Sequence, residues 1–138
     1  MWENTRMDYV EDALLLFSQA GQRATRAIEQ AVKVESVTGN VATTALLLLH
    51  RDGPQRPTLI AGECGLTSGG ATKLLTRLEK NGLIDRHSNV VPDDGRAVLV
   101  TLTPYGHRTV EAMLEAVEDT IRDLIDALIT VREEGPTT

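Results

Sequence analysis

Between Thr58 and Gly82 two short helical patterns flank a turn that contains glycine, and this arrangement leaves few folds open. Thr58 is placed to cap a helix over 59–64, because a threonine hydroxyl accepts from a first-turn amide that has no partner within the helix. Gly65 follows where a left-handed residue ends such a helix. Thr67 or Ser68 then opens a second helix with Ala71, Leu74, Leu75 and Leu78 on one side, closed by Asn81-Gly82. Two helices joined through a short glycine-containing turn are the helix-turn-helix signature.

Longer helices bracket this pair. From Asp8 to about Val34, apolar residues recur at Val10, Leu14, Phe17, Ala20, Ala24, Ile28 and Ala31, the three-to-four spacing of one helical face. Thr38-Gly39-Asn40 breaks it, and Asn40 is the expected cap of a helix that runs to His50 before Asp52-Gly53-Pro54. Downstream, 83–91 and 97–103 are β-prone runs around Pro92-Asp93-Asp94-Gly95, whose Asp-Gly pair signals a hairpin. Thr103-Pro104 reads as a cap followed by first-position proline. A final helix carries Val110, Met113, Leu114, Val117, Ile121, Leu124, Ile125 and Leu128 on one stripe, with Glu133 to Thr138 expected to fray. The predicted fold is mainly α, with a small β part (α+β).

A chain of 138 residues has room for one core and is short for two. Aromatic residues are 3% of it, so the core must come from Leu, Val, Ile and Ala, which suits packed helices. The longest apolar run, Ala45 to Leu49, is far too short to span a bilayer, so no membrane partner is expected. Met1-Trp2-Glu3-Asn4 lacks the basic and apolar regions of a signal peptide. A cytoplasmic address is therefore expected. Cys64 is the single cysteine and suits a reducing compartment; a packed thiol is its expected role, with an oxidation switch as the alternative. His50, His87 and His107 are scattered without ligand spacing, so neither a metal nor another cofactor is expected.

The net charge of −6 opposes nucleic acid only as a sum. Residues 1–55 hold 5 Lys/Arg against 7 Asp/Glu, 56–108 hold 7 against 5, and 109–138 hold 2 against 8. The middle is thus mildly basic between acidic flanks, as suits a segment that faces phosphates. On the second helix of the helix-turn-helix, Gly69, Thr72, Lys73, Thr76, Arg77 and Lys80 point away from the apolar side. Such cations can neutralise phosphates or donate to guanine, and hydroxyls serve either partner. In the hairpin, Arg86 lies on the first strand and Arg96 near the tip, where Asp94 can hold it, and an arginine on a β-ribbon can enter a narrow minor groove.

The stretch LTSGGATKLLTRLEKNGLIDR followed by DDGRAVLVTLTPYGHR resembles the winged helix-turn-helix of the multiple-antibiotic-resistance-regulator (MarR) family. Its most specific parts are Leu78-Glu79-Lys80-Asn81-Gly82-Leu83-Ile84, Asp94-x-Arg96-Ala97-Val98 and Leu102-Thr103-Pro104-x-Gly106. The resemblance implies one domain over 1–138, with a winged module at 41–106 and dimerisation helices at 8–35 and 108–132. It implies a homodimer that places two recognition helices in successive major grooves of double-stranded DNA, probes minor grooves with its wings, and acts as a repressor released by a small-molecule effector. Carried over by position, Ser68, Gly69, Gly70, Thr72, Lys73 and Thr76 face bases or nearby backbone, Arg77 faces phosphate, and Arg96 pairs with Asp94 at the wing tip. Gly69-Gly70 stands where the family often carries Arg, Ser or Thr, which reduces side-chain readout there and permits close backbone approach.

The aliphatic stripes of the two terminal helices are wider than one small core needs, which favours dimerisation over purely internal packing. Against a DNA-binding role stands a winged-helix module that binds only protein, motivated by the acidic total and by Gly69-Gly70. An enzyme is not expected, because the sequence has no phosphate-binding glycine loop, nucleophile motif or convergent carboxylate pair.

Overall fold

The computed structural model describes residues 2–32, 39–88 and 98–134. Among them the order is α1 (Trp2–Ala31), α2 (Asn40–Asp52), α3 (Pro57–Cys64), α4 (Ser68–Lys80), β1 (Ile84–Ser88), β2 (Val98–Leu102) and α5 (Pro104–Glu134). This is a winged helix between two long helices. The two strands pair antiparallel, with Ile84 opposite Leu102 and Ser88 opposite Val98. A further bridge joins Gln55, between α2 and α3, to Val100, each amide bonding the other's carbonyl at 3.0 and 2.8 Å.

Several ends are set by the residues predicted for them. The Thr67 hydroxyl accepts from the Gly70 amide at 3.1 Å and so caps α4. Thr103 does the same for α5, accepting from Gly106 N–H at 2.9 Å while its own hydroxyl donates to the Gly82 carbonyl at 2.6 Å. Gly65 ends α3 in the left-handed conformation, at φ 66°.

Other ends differ from expectation. α1 begins at Trp2 rather than Asp8, since no glycine or proline interrupts the chain before the apolar stripe starts. Gly39, not Asn40, is the N-cap of α2, in extended backbone and without a side-chain bond. α2 continues to Asp52, two residues past His50, because the breaker that stops it is Gly53. α3 starts at Pro57, with Arg56 as its cap in place of Thr58. Proline fits a first position because the amide it lacks has no partner within the helix there. Helix α5 continues through Glu134, past the point where fraying was expected. The turn at 92–95, and with it Asp94 and Arg96, lies outside the described residues.

The core gathers inside the winged module. Leu46 and Leu49 of α2, Ile60 of α3, Leu75 and Leu78 of α4, Leu83, Ile84 and Val100 of the hairpin, and Val110 and Met113 of α5 are all almost fully buried. Ile28 and Val32 extend this cluster to the end of α1. Beyond the core, α1 runs along α5, with Arg23 and Asp123 paired at 3.4 Å on the surface. The two apolar stripes therefore divide. Ala20 and Ile28 are buried, but Leu14 and Phe17 are 64% and 65% exposed, and Leu114, Ile121, Ile125 and Ile129 on α5 are also exposed.

Candidate nucleic-acid interface

Helix α4 is held by one face. Ala71, Leu74, Leu75 and Leu78 are buried, and their spacing turns Ser68, Gly69, Thr72, Lys73, Thr76, Arg77 and Lys80 to the exterior. Each of these seven is exposed. No acidic residue stands in its first turn, so the positive end of the helix dipole is left to an outside anion. Lys73 and Arg77 are one turn apart and make no side-chain bond among the described residues. Thr72 donates its hydroxyl hydrogen to the Ser68 carbonyl at 2.9 Å and keeps its lone pairs for a partner.

The two glycines differ. A methyl group at Gly69 would meet nothing within 4 Å, so open space faces the backbone there. Gly70 is half-buried, and a methyl there would meet Thr67 Oγ1 at 3.3 Å and Leu66 Cδ2 at 3.7 Å. Of the pair, Gly69 is the one that a nucleic-acid backbone could approach closely.

Arg86 does not project from the hairpin. It lies across α4, donating to Glu79 Oε1 from Nη2 at 2.9 Å and from Nε at 3.3 Å, and to Thr76 Oγ1 from Nη2 at 3.2 Å. Its guanidinium holds the Glu79 carboxyl below the usual carboxylate range, through the hydrogen bond first and the charge second. Glu79 is the only acid on α4, and it sits beside the face that carries the cations. Sequence reasoning passed over it, because its partner comes from the strand that follows and no helical spacing connects them.

The expected residues thus fall into three groups. Ser68, Gly69, Thr72, Lys73, Thr76 and Arg77 share one exposed surface, Gly70 turns into the α3–α4 turn, and Arg86 braces α4 from the side. Asp94 and Arg96 lie outside the described residues. Among the described residues no group of three or more His, Cys, Asp or Glu could hold a metal ion, and no helix is long and apolar enough to cross a membrane.

Residues 40–98 match the sequence profile of the MarR family, a span from the start of α2 to the first residue of β2. Among curated proteins none matches. Solved structures do. RV1404 of Mycobacterium tuberculosis is 25% identical, with 93% of each chain covered and a TM-score of 0.72. A probable transcriptional regulator of Pseudomonas aeruginosa is 27% identical, with 80% of each chain covered and a TM-score of 0.59. BpsR of Bordetella bronchiseptica, whose DNA binding is regulated by 6-hydroxynicotinic acid, is 25% identical, with 79% of this chain and 80% of that one covered and a TM-score of 0.57.

Proposed function

This chain carries a MarR-family segment over residues 40–98, and on that premise we propose that it is a homodimeric, sequence-specific DNA-binding repressor released by a small-molecule effector. One observation supports the DNA-binding part above others. The exposed side of α4 combines Lys73, Arg77 and Lys80 with the Thr72 and Thr76 hydroxyls, and Arg86 is bonded to the one acid beside them. A helix of this kind fits a major groove, with cations on phosphate and hydroxyls and methyls toward base edges.

The open halves of α1 and α5 support the dimer. Leu14, Phe17, Ile121, Ile125 and Ile129 form apolar surface that a lone chain leaves in water, and a shallow groove of about 680 Å³ follows α1 past Leu14, Phe17 and Gly21. A second copy covering these faces would bury them by isologous contact, the usual geometry of a two-fold dimer. Two copies of α4 would then reach half-sites about one helical turn apart on a pseudo-palindrome. The effector class follows from resemblance to ligand-regulated proteins such as BpsR.

The test is a duplex of about 20–30 base pairs from the chain's own promoter, titrated at several salt concentrations. Lys73→Ala and Arg77→Ala should each weaken binding and lower the slope of log K against log salt by about 1. Unchanged binding in both variants refutes this mode. Absence of duplex binding even at low salt, together with a stable complex with another protein, favours a module that binds protein alone. Sedimentation should give a dimer that Phe17→Asp or Ile125→Asp dissociates, and a wild-type monomer at micromolar concentration refutes the arm-to-arm assembly.

A further inference from the structure

His50 lies in the last turn of α2 and His107 in the first turn of α5, and the fold brings their rings together with centroids 5.7 Å apart and planes tilted by 57°. Neither ring has a hydrogen bond or ion pair among the described residues, whereas His87 uses a ring nitrogen on Thr101 Oγ1 at 3.1 Å. The flanking cations are engaged elsewhere. Arg51 grips Asp52 through two bonds of 2.9 Å, and Arg108 lies against the Tyr105 ring, 6.0 Å from its centroid. The backbone that carries the pair is fixed on both sides. Leu49, beside His50, is buried in the core, and the His107 amide donates to the Thr103 carbonyl at 2.9 Å, next to Gly106, which packs against Leu83 too closely for a Cβ. His50 is half-buried and His107 exposed, so water and ions reach the rings.

Tilted rings at this separation fit either an edge contact between aromatics or a pair of ligands for one ion. Imidazole binds a divalent transition ion at about 2.0–2.1 Å, which puts each ring centroid about 3.2 Å from the ion and two centroids about 5.2 Å apart at the tetrahedral angle. The spacing of 5.7 Å is within about 0.5 Å of that value, a closure that small side-chain rotations supply. A neutral imidazole carries one nitrogen lone pair, and here no protein group engages either ring's. We infer that His50 and His107 together bind one divalent ion of the imidazole-preferring kind, Cu²⁺ most tightly and Zn²⁺ and Ni²⁺ after it, with water completing the coordination, and that the ion ties the end of α2 to the start of α5. Two ligands supply about half the free energy of a closed four-ligand site, so Zn²⁺ should bind with a dissociation constant on the order of 10 µM. Mg²⁺, which takes oxygen ligands, is not held by such a pair. The site does not depend on the DNA-binding reading.

Zinc chloride is the probe, titrated into the full chain and followed by the ring-proton resonances of the three histidines, with magnesium chloride as the control for binding to carboxylates. The signals of His50 and His107 should shift together and saturate at one ion per chain, while those of His87 stay in place. Mg²⁺ should move none of them. His50→Ala and His107→Ala should each weaken Zn²⁺ binding at least about tenfold, because one of two ligands is gone, and His87→Ala should leave it unchanged. His107 is exposed, so its variant decides should His50→Ala not fold. The tie between the helices is read from the melting temperature. Zn²⁺ at about a hundred times its dissociation constant should raise that of the wild type by several degrees, and that of His107→Ala by about half as much or less.

A shift of only one member of the pair, an equal shift of His87, Zn²⁺ affinity unaffected by His107→Ala, displacement of Zn²⁺ by equimolar Mg²⁺, or no shift at about 1 mM Zn²⁺ overturns the site. Saturable binding by both histidines with an unchanged melting temperature overturns the tie between α2 and α5.

Discussion

Arg86 of β1 is bonded to Glu79 of α4 at 2.9 Å, and the same Nη2 reaches Thr76 one turn earlier, so the first strand of the wing is clipped to the flank of α4. The carboxylate it engages stands next to the surface that carries Lys73, Arg77 and Lys80. An unpaired carboxylate there would repel phosphate. On the DNA-binding reading proposed above, the arginine would act through Glu79 and the angle of the wing.

Arg86→Met should weaken duplex binding several-fold, and Glu79→Gln in the Arg86→Met background should restore part of the loss. A contact made by Arg86 to DNA would give a loss that Glu79→Gln leaves untouched. Binding isotherms of the two variants decide between these roles. The two side chains are 29% and 40% exposed, so the pair itself contributes no more than about 1 kcal/mol to folding.

The same pair gives the fold a small acid sensitivity. Glu79 has a folded-state pKa held below its ordinary value, so its contribution is present above the ordinary glutamate range and lost as pH falls through the lowered value. Melting temperatures of wild type and Glu79→Gln should differ by a constant amount near neutrality and converge between about pH 5 and 3. A gap that widens on acidification contradicts the pairing.

What the sequence revealed divides by range. Thr67, Gly65 and Thr103 were legible because a cap bonds within its own turn, and local geometry is what a residue type and its neighbours encode. The bridge from Gln55 to Val100 was not, since it joins a connector to a strand 45 positions away and neither end has a periodic pattern. Pro57 was passed over for Thr58 because both are good openers, and only backbone geometry chooses. The stripe Val10, Leu14, Phe17 announced a helix, but periodicity is blind to whether a face meets its own core or another chain. Lys73 and Arg77 were read from the pattern of one helix, while the approach of His50 to His107 required α2 to meet α5, two elements far apart in the sequence.

Gly106 marks a close approach between α5 and the module. A Cβ there would overlap the Leu83 carbonyl oxygen and come within 3.1 Å of Leu102 Cδ2. That carbonyl cannot easily retreat, because it accepts from the Thr103 amide at 3.0 Å. Gly106→Ala should therefore destabilise by about 1–3 kcal/mol, although alanine is the better helix former. Gly69→Ala is the counterpart, with open space around the new methyl, and should leave stability unchanged or raise it by a few tenths of a kcal/mol. Unfolding free energies from denaturant titration of the two variants should differ by at least about 1 kcal/mol, with Gly106→Ala the less stable.

Cys64 ends α3 half-buried, its thiol 3.9 Å from the Val41 carbonyl, and burial pushes its pKa up, with the charge of Glu63 adding to the effect. The reactive species is the thiolate, so a raised pKa means less of it at neutral pH, and cover by α2 slows attack further. Native protein should react with a maleimide at pH 7 at least about tenfold more slowly than the chain unfolded in urea, and its rate should keep climbing above the pH at which an exposed cysteine levels off. An oxidation switch needs the reverse, a lowered pKa and ready access. A native rate equal to or above the unfolded rate would show that the thiol is poised for chemistry, and a slow rate together with unchanged duplex binding by Cys64→Ala would show that it serves as packing.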